Sequence, residues 1–236
     1  MTDATPAAAA PDGAGDPLRR AADIMHAVRD RCVWTQQIGH RDLVPYLVEE
    51  SAELIDAVED GSRADLREEL GDLLWQVLFH AEIASRDPDD PFDIDDVARD
   101  LTDKMVRRHP HVFAGETAET PEQVLVLWNA AKAAEKHQRR SVLDGVSERM
   151  PSLALAQKLL GRQAAVADAA PAAGGVADAA ARPASEAELG DALLRLVAIA
   201  RAEGWDAERA LRERLRALQA DIRAAELLQS PVPDAD

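Results

Sequence analysis

One glycine set between two long runs of leucine and charge limits this chain more than any other feature. Between positions 42 and 85 apolar residues recur every three or four positions, the spacing of one helical face, and the pattern breaks at Asp60-Gly61. A helix over 42–59 and another over 62–85 have so little chain between them that they must turn back antiparallel. Ser62-Arg63-Ala64-Asp65 is a capping-box pattern that marks where the second helix starts.

The hairpin is unusually rich in carboxylates for a pair of helices with so many leucines. Positions 53 and 69 share the midpoint 61 with positions 50 and 72, so Glu53 faces Glu69 and Glu50 faces Asp72 at matching heights. Within each helix the i, i+3 spacing puts both side chains on one face. At about 100° per residue, Glu50 falls between Leu47 and Leu54, and Glu69 between Leu66 and Leu73, so both are expected largely inside. Buried like charges are costly unless a cation offsets them. Oxygen donors without His or Cys favour Mg2+, with Mn2+ as a substitute. A solvated helix face would also read EExxE, but it requires neither matched heights nor inward phase. Asp56 and Glu59 fall farther from the stripe and read as solvated; Glu49 reads as a support for the ligands or a proton acceptor.

Rival sites fit less well. A carboxylate-bridged di-iron centre needs Glu-x-x-His, which the sequence lacks. His80 lies eight residues past Asp72, about 12 Å along a helix, and reads as a core or interface histidine. The loop after Asp87 lacks the glycine and glutamate of a calcium loop, and no GxxxxGK[ST] is present.

The rest of the chain reads as all-α, with aromatics at 3% and long Ala/Leu/Arg/Glu stretches. Residues 1–17 are expected to form a disordered arm, followed by helices over 18–31 (Ile24, Met25 and Val28 inward), 94–109 (ended by Pro110) and 128–140. An Ala-rich linker is expected over 164–187. Glu69-Leu70-Gly71-Asp72 recurs as Glu188-Leu189-Gly190-Asp191, which suggests a catalytic domain over 18–140 and a degenerate second module over 141–230. A net charge of -17 argues against nucleic-acid or anionic-membrane partners. The lone Cys32 fits a reducing cytoplasm, and the N-terminal stretch lacks the pattern of a signal peptide.

Basic residues cluster at the end of the expected helix over 94–109, in Asp103-Lys104-Met105-Val106-Arg107-Arg108. Cations suit any helix C-terminus. Beside a metal cluster, however, Lys104 and Arg108 at i, i+4 also offer the charge a polyphosphate needs. Lys132 and Lys136 either add to that charge or pair with Glu135.

EESAEL followed by REELGDLLWQVLFHA resembles the EExxE and ExxD signature of the MazG family of nucleoside triphosphate pyrophosphohydrolases, and DKMVRRHPHVF resembles its following segment. The likeness extends through Cys32-Val33-Trp34, VPYLVEE, Trp128 with Lys132, SVLDGV and MPSLALAQKL, over roughly 18–160. It implies an all-α fold in which subunits pair to complete a four-helix bundle, as a homodimer or homotetramer. It implies magnesium-dependent hydrolysis of nucleoside triphosphates, non-standard or oxidised ones among them, to monophosphate and pyrophosphate, with water attacking the α-phosphorus. Glu50, Glu53, Glu69 and Asp72 would then hold the metal. Lys104, with Asp103 and Arg107 or Arg108, would contact the triphosphate, and Trp128 and Lys132 would lie near the nucleotide, though Trp128 also reads as a core anchor. Thr35 and Asn129 depart from the family's usual Asp and Glu. Glu188 and Asp191 remain in the second module without an EExxE half, so it is expected to be inactive. The competing reading is a non-catalytic helical module that binds nucleotide or metal.

Overall fold

The structure, a computed structural model, describes residues 16–135, 141–164 and 183–229. Among them every regular element is a helix, and the chain divides into two compact units between Glu135 and Lys136, where the sequence suggested a boundary after 140.

The first unit contains α1 (Pro17–Arg31), a short 3-10 turn (Thr35–Gln37), α2 (Val44–Glu59), α3 (Arg63–Ala84), α4 (Ile94–Arg108), α5 (Pro110–Phe113) and α6 (Pro121–Glu135). The last two residues of the segment expected as an arm belong to the start of α1, and residues 1–15 lie outside the described residues. The Asp16 carboxylate accepts the Leu18 N–H at 3.0 Å, and Pro17 takes the first helical position, where its missing N–H costs nothing.

The hairpin forms as its turn chemistry dictates. The Gly61 N–H donates to the carbonyls of Asp56 and Ala57, closing α2. A Cβ at Gly61 would stand 2.6 Å from the Ala57 Cα, so only glycine allows so tight an exit. The next residue starts α3: the Ser62 hydroxyl accepts from the Ala64 and Asp65 N–H groups, while the Asp65 carboxylate accepts the Ser62 N–H at 2.7 Å. This reciprocal box satisfies N–H groups that a helix start leaves without partners.

The core gathers at the far end of α3, away from that turn. Leu78 and Phe79 pack with Met25 of α1 and with Leu43, and Ala21, Ala22, Ile38, Leu74, Trp75, Ile83 and Ile94 close around them. Ile24 and Val28 are half-buried. Thr35 is buried, its hydroxyl donating to the carbonyls of Val28 and Cys32, which ties the 3-10 turn to the end of α1. The turn half of the hairpin has no such cover. Ile55, Val58 and Leu70 are exposed there, and Val48 is exposed farther along α2, more apolar surface than two helices can bury against each other.

Two helix limits differ from the sequence reading. Pro110 ends α4 and also opens α5, as a residue with fixed φ and no N–H can. Helix α6 starts at Pro121, well before 128, because Thr120 caps it by accepting the Gln123 N–H and Pro121 suits the first turn. Residues 136–140, expected to complete that helix, lie outside the described residues.

The second unit contains α7 (Ser152–Ala164), α8 (Glu186–Ala202) and α9 (Ala207–Gln229). The Gln157 amide knits them: its NH2 donates to the Trp205 carbonyl at 2.8 Å and its oxygen accepts the Ala207 N–H at 3.1 Å. Gly204, at φ 73°, makes the turn between α8 and α9. Val197 and Ala200 are buried, while Leu193, Leu196, Leu211 and Leu215 stay exposed. Of the expected linker, residues 165–182 lie outside the described ones, and its last two positions belong to α8.

Candidate metal centre

Three carboxylates meet where α2 and α3 lie side by side, with a fourth next to them. One carboxylate oxygen each of Glu50, Glu69 and Asp72 lies within 4.8 Å of the others, close enough for a single ion to touch all three. Glu53 is exposed beside this trio, and its charge acts on both Glu50 and Glu69. Glu53 and Glu69 also line a hollow near the turn with Asp56, Asp60 and Asp65.

The expectation that Glu50 and Glu69 lie largely inside needs correction. Glu50 and Glu69 are half-buried, and Glu53 and Asp72 are exposed. The physical reason lies in the hairpin: Leu47 and Leu70, on the neighbouring faces, are themselves uncovered.

Even so, the electrostatics are those of a crowded negative site. Burial, and then repulsion from Asp72, Glu53 and Glu49, push the Glu50 carboxyl above its usual range, and the nearby Gln76 amide partly opposes this. Burial, and then repulsion from Glu53 and Asp72, push Glu69 in the same direction. The Glu69 Oε2 atom is shut off from solvent with no hydrogen-bond partner among the described residues. An all-oxygen donor set with a buried, unpartnered carboxylate oxygen fits a hard divalent cation, which supplies the missing positive charge.

Sequence reasoning passed over Gln76. It stands one helical turn past Asp72 and is 4% exposed. Its signal was a lone amide in the otherwise apolar run Leu73-Leu74-Trp75-Gln76-Val77-Leu78. Glu49 is exposed and acts on Glu50 through its charge.

The basic residues form a second group. Arg107 and Arg108 both donate to Glu135, the latter at 2.5 Å, and this pairing holds the Glu135 carboxyl below its usual range. The Arg108 guanidinium also sits 5.1 Å from the Trp128 ring centre, and His109 meets Trp128 edge to face. This knot fastens α4 to α6. Lys104 is half-buried with no ion-pair partner among the described residues, Asp103 is exposed, and Lys132 is half-buried on α6. No hydrogen bond or ion pair joins Glu50, Glu53, Glu69 or Asp72 to Asp103, Lys104, Arg107 or Arg108. Asn129 is exposed. His80 is half-buried and stacks on His40, the two Nδ1 atoms 2.8 Å apart.

Glu188 and Asp191, the other carboxylates in the repeated tetrapeptide, occupy a different setting. Glu188 sits in the first turn of α8, where its carboxylate accepts the Ala184 N–H at 2.8 Å and its own N–H donates to the Ser185 hydroxyl.

Comparison with known proteins bears on the hairpin directly. The model of the MazG nucleotide pyrophosphohydrolase domain matches residues 38–113, which contain all four carboxylates. An uncharacterized 26.1 kDa protein of Streptomyces cacaoi is 46% identical over 213 residues, covering 90% of this chain and 84% of that protein. A protein of Mycobacterium tuberculosis named nucleoside triphosphate pyrophosphohydrolase is 49% identical over 154 residues, 65% of this chain and 47% of that protein. The chain thus spans about half the length of that named relative. The crystal structure of a mazG-related protein from Thermotoga maritima aligns with a TM-score of 0.43 at 26% identity, over 48% of this chain and 97% of that one.

Proposed function

This chain belongs to the MazG family, and from that premise we propose that it hydrolyses nucleoside triphosphates to nucleoside monophosphate and pyrophosphate with Mg2+. The observation that carries the reading is the convergence of Glu50, Glu69 and Asp72 within 4.8 Å, with an unpartnered carboxylate oxygen among them. The names of the relatives support the reaction class.

Glu50, Glu69 and Asp72 hold the cation, and Glu53 adds charge at the rim. Bound there, Mg2+ supplies positive charge to the triphosphate and lowers the pKa of a water. Lys104, the half-buried cation without an ion-pair partner among the described residues, is the side chain best placed in charge to contact the polyphosphate. Arg107 lends charge from the same helix end. Arg108 and Trp128 act chiefly by fixing α6 against α4, since Glu135 already claims the guanidinium. Glu49, exposed beside Glu50, is the carboxylate free to accept a proton. Asp103 and Lys132 complete the helix faces around the nucleotide.

The exposed apolar residues on the hairpin, Val48, Ile55, Val58 and Leu70, support pairing with a second copy, giving a homodimer or a homotetramer. The second unit serves packing or assembly without catalysis, because Glu188 is spent on a helix start and the module's sequence has no EExxE half. No helix among the described residues is long and apolar enough to cross a membrane.

Product analysis with Mg2+ and a panel of normal and oxidised NTPs and dNTPs tests the reaction. Monophosphate with pyrophosphate is the expected pair. Diphosphate with inorganic phosphate would place cleavage at the wrong bond, and binding without turnover would leave a nucleotide-binding module.

A further inference from the structure

Gln76 is buried to within 4% of full exclusion, yet its Oε1 has no hydrogen-bond partner among the described residues. An unmatched buried amide oxygen costs about 1–3 kcal/mol, so a side chain kept in that state calls for a reason. Gln76 follows Asp72 by four residues on α3, and Asp72 follows Glu69 by three, so all three share one helix face. Across the hairpin the Gln76 amide lies close enough to Glu50 to favour its charged carboxylate. Facing a carboxylate, the amide must turn its NH2 towards it, because its carbonyl oxygen would be repelled. That choice leaves Oε1 as the buried end without a partner among the described residues.

We infer that Gln76 is a positioning residue of the metal centre, its NH2 holding the Glu50 carboxylate towards Glu69 and Asp72. This rests on the carboxylates being the metal site. The arrangement explains why the amide stays buried where a leucine or methionine would pack at lower cost. Outer partners of metal ligands work in this way, orienting the ligand and tuning the bound ion.

The test measures Mn2+ binding alone, by electron paramagnetic resonance of free Mn2+ titrated into the full chain, together with metal-free Tm. Gln76→Met keeps the side chain's length and removes both hydrogen-bonding groups; Gln76→Asn keeps the amide but withdraws it by one methylene. Both variants are expected to bind Mn2+ about 10- to 100-fold more weakly than the parent. The metal-free Tm of Gln76→Met is expected to hold or rise, since the substitution removes a buried orphan oxygen. A purely structural glutamine predicts the reverse, a lower metal-free Tm with Mn2+ affinity intact. Affinity within twofold of the parent in either folded variant overturns the inference. No Mn2+ binding by the parent would instead overturn the metal site itself, and the inference with it.

Discussion

The same four residues, Glu-Leu-Gly-Asp, occur in two settings in this molecule. Glu69 to Asp72 lie well inside α3, with α2 alongside to bring Glu50 against them. Glu188 to Asp191 lie at the start of α8, where the glutamate closes the helix end and Ser185 completes the cap. The first glutamate carries a buried oxygen without a partner, whereas the second is satisfied by backbone N–H. A short motif therefore does not specify a metal site. In the proposed site its register within the helix, and a second acidic helix at matching height, set the two copies apart.

The sharpest way to break this comparison is to neutralise one carboxylate in the hairpin. Glu69→Gln is expected to lower turnover by at least about 100-fold, as loss of metal-holding geometry does, and steady-state assays at saturating Mg2+ would reveal it. Next in size is the turn that sets the register. Gly61→Ala would force its Cβ onto the Ala57 backbone, 2.6 Å from its Cα, and should cost about 1–3 kcal/mol, read as a lower midpoint in urea. The second copy of the motif yields a smaller and different effect. Ser185→Ala should destabilise α8 by about 1 kcal/mol, visible in thermal unfolding, and leave turnover unchanged.

The smallest expected effect is on the pH dependence of stability. Glu50 and Glu69 hold their protons more tightly in the fold than in the unfolded chain, where the ordinary value is 4.5. Their stabilising contribution is therefore present below that value and is lost as pH rises through their raised folded values. Asp30, Asp65, Asp87, Asp96 and Glu135 are shifted downward and act in the opposite sense, so the difference between two proteins is the useful quantity. Without added metal, the parent should lose stability relative to Glu69→Gln as pH rises above the carboxylate range, in Tm series by circular dichroism. Added Mg2+ should narrow that gap at the upper end.

Much of the hairpin was legible because its determinants are local. Gly61 and the Ser62/Asp65 box fix the turn, and a turn that short fixes which residues face each other. The start of α6 is equally local, set by Thr120-Pro121, but it lies well before the apolar pattern around Trp128 on which the expected start rested. Other features depend on partners far apart in sequence. The sequence left open whether Lys132 and Lys136 pair with Glu135; what Glu135 does meet, Arg107 and Arg108, is set by how α4 packs on α6. Gln76 belongs to the same class, because the role inferred for it depends on Glu50 of the neighbouring helix. The depth of the carboxylates was over-read for a related reason: helical phase gives direction, but burial requires something on the other side.

The most direct test sets Asp72→Asn beside Asp191→Asn in one assay of NTP hydrolysis with Mg2+. The account predicts that Asp72→Asn loses at least about 100-fold in turnover, as expected when metal-holding geometry is lost, while Asp191→Asn matches the parent. Equal losses in both variants, or a loss confined to Asp191→Asn, would contradict it.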